Sequence, residues 1–74
     1  MPEVTLDAGK TACGDLIFLI FCEMKKLKSG QVLRVLAYDD AADMDIPAWC
    51  RSTGNHLIKS DTQSSPKQFE IRKV

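Results

Sequence analysis

Residues 13–30 read CGDLIFLIFCEMKKLKSG, and this stretch decides the fold. Leu16, Ile20, Met24 and Leu27 fall at i, i+4, i+8 and i+11, the spacing of one helix face, and Ile17 and Phe21 widen the stripe. Asp15 stands in the first turn and Lys25, Lys26 and Lys28 in the last, where each charge complements the helix dipole. Ser29-Gly30 then offers a stop, with Gly30 suited to a left-handed capping position. The spacing predicts a helix from Cys13 or Gly14 to Lys28, lying with its apolar face on a second layer.

Outward from that helix the pattern changes to strands. Glu3-Val4-Thr5-Leu6-Asp7 alternates weakly between Pro2 and Ala8-Gly9, which reads as a short strand, and Gly9 to Ala12 reads as a loop. On the other side, Val32 to Tyr38 is β-branched and apolar apart from Arg34, as in a central strand. An acidic loop, Asp39 to Asp43, leads to a second helix spanning roughly Ala42 to Thr53. Its firm part is expected near Asp45-Ile46-Pro47, with Asp45 as a cap and Pro47 in the first turn. Gly54 ends it. His56 to Asp61 makes a third strand, Thr62 to Pro66 a polar turn that looks loose at Ser64-Ser65-Pro66, and Lys67 to Lys73 a fourth strand. In that last strand Phe69 and Ile71 share one face while Gln68, Glu70 and Arg72 share the other. The order βαβαββ predicts an α/β (α+β) two-layer sandwich, a four-stranded mixed sheet with two helices on one face.

Length and charge narrow the function. A chain of 74 residues is expected to form a single domain, residues 1–74, around one core. A domain of this size buries roughly 60% of the surface its unfolded chain exposes, which leaves little room for a deep pocket. Function then belongs to an exposed surface or to one reactive side chain. Apolar residues make up 45% of the chain and charged residues 27%, an ordinary globular balance. Ten basic residues against ten acidic ones argue against nucleic-acid binding, which favours a basic excess. Lys25, Lys26 and Lys28 read as a solvated helix end. The longest apolar run, Leu16 to Cys22, is seven residues, far short of the roughly 20 that cross a bilayer. Met1 to Lys10 has no apolar stretch of the kind a signal peptide carries, so a cytoplasmic protein with reduced thiols is expected.

Three cysteines, Cys13, Cys22 and Cys50, with no CxxC pair, fit neither a disulfide framework nor a zinc site, and the single histidine, His56, weakens a metal reading further. No metal and no cofactor are expected. His56 reads as a surface or satisfied histidine. Asp39, Asp40, Asp43 and Asp45 lack the glycine and terminal glutamate of a calcium loop, so capping and solvation are the better account.

Read together, Leu6-Asp7, Cys13 six residues after that aspartate, Leu27-x-x-Gly30, Leu33-x-Val35 and Asp39 form a pattern. Asp45-Ile46-Pro47-Ala48-Trp49, Thr53-Gly54, Leu57-Ile58 and the closing Phe69-x-Ile71-Arg72-Lys73 extend it over nearly the whole chain. This resembles the TusA/SirA-like family of small sulfur carriers. The resemblance implies a βαβαββ sandwich and a persulfide relay. A cysteine in the place of Cys13 accepts sulfane sulfur from a donor protein, of the cysteine desulfurase or rhodanese type, and passes it to an acceptor protein. The family signature Cys-Pro-x-Pro reads Cys13-Gly14-Asp15-Leu16 here, with both prolines replaced. The Gly-His-Glu-Leu of the family reads Gly54-Asn55-His56-Leu57.

The chemistry of Cys13 follows from its place. A relay cysteine must be a thiolate, and the free N–H groups and positive dipole at a helix start lower a thiol pKa from ~8.5. Gly14 and Asp15 are the neighbours expected to support the thiolate or persulfide. Two readings stay open: Cys13 is the relay residue, or it is inert in an interaction module that kept the fold. Cys22 lies nine residues on, about 180° around the helix and roughly 13 Å along it, too far for a disulfide with Cys13. Phe18 and Cys22 share a flank away from the main stripe. Either that flank is exposed as a docking surface or a homodimer contact through the first helix, or the second helix covers it. Cys50, beside Trp49, reads as a core residue.

Overall fold

The computed structural model describes residues 4–9 and 13–74, with side chains from residue 15 onward in the second segment. The elements are β1 (Val4–Asp7), α1 (Cys13–Lys25), β2 (Val32–Ala37), α2 (Ala42–Thr53), β3 (His56–Asp61) and β4 (Lys67–Arg72). They form a two-layer sandwich with a four-stranded mixed sheet in the order β1-β2-β4-β3. The β1–α1–β2 crossover makes its two strands parallel, and the short β3–β4 connection makes those strands antiparallel. β4 inserts beside β2 and runs antiparallel to it as well.

Register explains how one face becomes the core. Leu33 pairs with Ile71 and Val35 with Phe69, and all four are fully buried. Between these pairs Arg34 lies opposite Glu70 on the other face, where their charged groups meet at 3.2 Å. Leu16 and Ile20 of α1, and Ala42, Ile46 and Cys50 of α2, join the same buried cluster as the sheet residues. Both helices therefore cover one face, as the alternation of Phe69 and Ile71 with polar neighbours predicts.

Several local expectations need correction. The α-helix stops at Lys25 rather than Lys28. Beyond it the Lys26 and Leu27 N–H groups bond to the Glu23 and Met24 carbonyls, both at 3.1 Å, which is the tighter i−3 pattern. That tightening still buries Leu27, and the Lys73 ammonium donates to the Leu27 carbonyl at 2.6 Å. Gly30 has φ of 86° and donates its N–H to the Lys73 carbonyl at 2.8 Å, so it turns the chain into β2 instead of capping the helix. Phe21, expected to widen the buried stripe, is 46% exposed.

The second helix spans Ala42–Thr53 as expected, but it is not capped at Asp45. Ala41 is the N-cap and offers no side-chain bond. The Asp39 carboxylate accepts from the Ala41 N–H at 3.4 Å instead. Pro47 thus sits inside α2, beyond its first turn, where it brings no N–H to the Asp43 carbonyl. Gly54 closes the helix as expected, with φ of 80° and its N–H on the Cys50 carbonyl at 2.9 Å. The turn between β3 and β4 is tied rather than loose. Asp61 accepts from the Ser64 hydroxyl at 2.6 Å and from the Gln63 and Ser64 N–H groups at 3.1 and 3.3 Å. Those bonds, the Ser64 hydroxyl first, hold its carboxyl below the usual carboxylate range.

Candidate functional site

The parallel pair β1 and β2 ends at one edge of the sheet, where Asp7 lies opposite Leu36 and the Ala8 N–H continues the ladder to the Leu36 carbonyl at 3.0 Å. Each strand is followed by a helix that returns across the sheet, so α1 and α2 both begin at this edge. Gly9, with φ of 58°, turns the chain out of β1, and the Asp7 carboxylate braces that turn by accepting the Gly9 N–H at 2.9 Å. The expected loop from Gly9 to Ala12 lies, at residues 10–12, outside the described residues.

Cys13 is the first residue of α1, followed by Gly14 and then by Asp15, which is exposed. The first-turn N–H groups of an α-helix have no intrahelical acceptor and carry the positive end of its dipole. An anion at this end is stabilised, which is what a thiolate or a persulfide requires. The support expected of Gly14, and the setting of the Cys13 thiol, lie outside the described side chains.

Charge at this edge is mostly acidic. Asp7, Asp15, Asp39, Asp40, Asp43, Asp45 and Asp61 all stand at strand ends, helix starts or loops on this side of the molecule. Lys67, at the start of β4, crosses to two of them. Its Nζ lies 2.6 Å from Asp43 Oδ1 and 3.7 Å from Asp40 Oδ1. The Asp43 hydrogen bond is the main reason the Lys67 ammonium titrates above its ordinary range. Asp39 braces the start of α2, so these carboxylates serve capping and pairing. Among the described residues no group of three or more histidines, cysteines or carboxylates is placed to hold a metal ion.

Of the expected docking pair, Phe18 is 63% exposed and Cys22 is half-buried, one turn further along α1. The second helix does not cover Phe18. Cys50 is buried in the core, and burial pushes its thiol up to about 11, with the Arg51 charge pulling weakly in the other direction. His56 is exposed at the start of β3.

Sequence reasoning missed two exposed apolar residues at the Cys13 edge, Met44 and Tyr38. A signal for Met44 was available. Ala42, Ile46 and Cys50 recur every four residues on the buried face, and Met44, between Asp43 and Asp45, falls out of phase with them. No helix among the described residues is long and apolar enough to cross a membrane. Comparison with models of known families matches residues 4–73 to the family described as Sulfurtransferase TusA. The match runs from the first residue of β1 through the C-terminal end of β4 and takes in Cys13.

Proposed function

The chain belongs to the sulfurtransferase TusA family, which makes it a sulfur carrier, and we propose that the sulfur travels as a persulfide on Cys13. The observation that carries this reading is the position of Cys13 as the first residue of α1, inside the family match.

In the loading step the Cys13 thiolate attacks the terminal sulfur of a donor protein's cysteine persulfide. A new S–S bond forms on Cys13, the donor's S–S bond breaks, and the donor cysteine leaves with the electron pair as a thiolate. The oxidation states of the two partners are exchanged, so no outside oxidant is consumed. In the unloading step an acceptor nucleophile attacks the terminal sulfur on Cys13, and Cys13 departs as the thiolate that began the cycle. Both steps need the anionic form, and the free N–H groups of the first turn favour it. Gly14 replaces a family proline and lets the backbone adjust as a partner closes on the site. Asp15 adds a like charge that works against the thiolate and offsets part of what the first-turn N–H groups give it.

Donor and acceptor must each reach the same residue in turn, so a shared docking surface beside it is required. The exposed Phe18 ring, five residues from Cys13 and roughly 8 Å along the helix axis, supplies an apolar contact, with Cys22 on its flank. The donor is of the cysteine desulfurase or rhodanese type, and the compartment is a reducing one such as the cytoplasm. A homodimer through α1 would occupy the same surface and compete with docking.

The test follows radiolabelled sulfur from a cysteine desulfurase onto the chain and then onto an acceptor protein. Label should move with the wild type and with Cys22→Ser, and stop at the donor with Cys13→Ser. Undiminished passage through folded Cys13→Ser would overturn the relay and leave an interaction module in its place.

A further inference from the structure

The edge opposite Cys13, where both helices end, has a different chemistry. Register places Arg72 beside Val32 and His56, so β4 finishes where α1 and α2 finish. Between the helix ends lies a cleft of about 160 Å³. Phe21 and Met24 of α1 and Trp49 of α2 form its apolar floor, and Lys25 and Lys73 stand at its rim. The Lys25 ammonium lies 5.3 Å from the centre of the Phe21 ring, a cation–π distance that holds charge over the apolar wall.

Around this cleft the charge is basic. Lys28 is exposed at the same edge, and Glu23 there is already paired with Lys26 at 3.1 Å. Among the described residues no carboxylate lies within ion-pair distance of Lys25 or Lys28. The chain carries no net charge, yet carboxylates stand together at the Cys13 edge while Lys25, Lys28 and Lys73 stand around this cleft. A volume of 160 Å³ is small beside the ~300–1,000 Å³ of a small-molecule pocket and suits one large side chain.

We propose that this cleft docks an acidic segment of a partner protein, of which one apolar side chain enters between Phe21, Met24 and Trp49 while its carboxylates meet Lys25 and its basic neighbours. The floor supplies desolvated apolar contact, and the rim supplies orientation and long-range attraction. The site lies roughly 16 Å along α1 from Cys13, so an occupant here leaves the helix start free. A partner held at this edge remains bound while other proteins exchange at the Cys13 edge.

Trp49 is the only tryptophan and lines the cleft, so its fluorescence reads occupancy directly in the full chain. The probe is a synthetic peptide, Glu-Asp-Glu-Leu-Phe-Asp-Glu-Asp, titrated at low ionic strength. A saturating blue shift of Trp49 emission is expected, with affinity lost progressively as salt screens the rim. Lys25→Glu should weaken binding by roughly fivefold or more. Phe21→Ser, at a half-exposed position, should weaken it while the thermal transition stays in place. Cys13→Ser should bind like the wild type, so the outcome is independent of the sulfur-carrier reading. The proposal is overturned if no saturation is seen, or if a peptide with Leu-Phe replaced by Ser-Ser binds equally well. It is also overturned if a short single-stranded RNA produces the same shift, or if emission changes with protein concentration alone and thereby points to a second copy as the occupant.

Discussion

Cys13 and Cys50 stand at opposite ends of their respective helices, one at the start of α1 and one near the end of α2. Cys13 opens α1 at the edge of the sheet, and Cys50 sits in the last turns of α2 against the core. At the helix start, N–H groups without intrahelical acceptors stabilise negative charge. In the core, Cys50 is 3% exposed, and burial raises its thiol to about 11. One place favours the thiolate and the other suppresses it. For Cys50 burial decides the thiol chemistry, and for Cys13 the proposed relay rests on its place at a helix start.

The largest expected effect breaks the comparison at Cys13. Cys13→Ser should abolish sulfur uptake entirely while the thermal transition stays near that of the wild type, checked by a loading assay and by melting. Next, Cys50→Ser should leave uptake intact and lower stability by about 2 kcal/mol, because a hydroxyl replaces a thiol in an apolar core. Urea unfolding measures it.

A pH dependence sharpens the same contrast. The folded protein keeps the Cys50 thiol protonated above the pH at which the unfolded chain releases that proton. The unfolded state therefore binds fewer protons, and stability falls as pH rises from near 9 toward about 11. The loss from this group should approach about 2 kcal/mol and should shrink in Cys50→Ala, as read by urea midpoints across that range. The smallest structural effect belongs to Phe18. Phe18→Ser should leave stability unchanged and slow transfer from a protein donor several-fold, while uptake from a small polysulfide stays the same. Equal slowing with both donors would place the defect in Cys13 reactivity instead of docking.

Much of this architecture is legible in the residues. The bounds of α2 and β3 follow from Gly54 and from the change of period around it, and the helix-covered face follows from Phe69 and Ile71. The end of α1 was not legible, because the bonds that tighten it past Lys25 come partly from Lys73, far along the chain. Phe21 lies close enough to the buried stripe to be read with it, yet it lines the open cleft at the helix ends and stays 46% exposed. The β3–β4 turn looked loose because the bonds that tie it run from Asp61, read as part of a strand, to Ser64. At the candidate site, Cys13 was legible from position and family pattern. The acidic edge around it was not, because Asp7, Asp43 and Asp61 come to one edge of the sheet only when the strands pair.

The central claim is that sulfur is carried on Cys13. Its most direct measurement is mass spectrometry of the intact and digested protein after incubation with a cysteine desulfurase and cysteine, beside a family member that retains the Cys-Pro-x-Pro prolines. The peptide containing Cys13 should carry the mass of added sulfur, with the peptides of Cys22 and Cys50 unmodified. Loading of the proline-bearing protein with no added sulfur on Cys13 under the same conditions would contradict the claim.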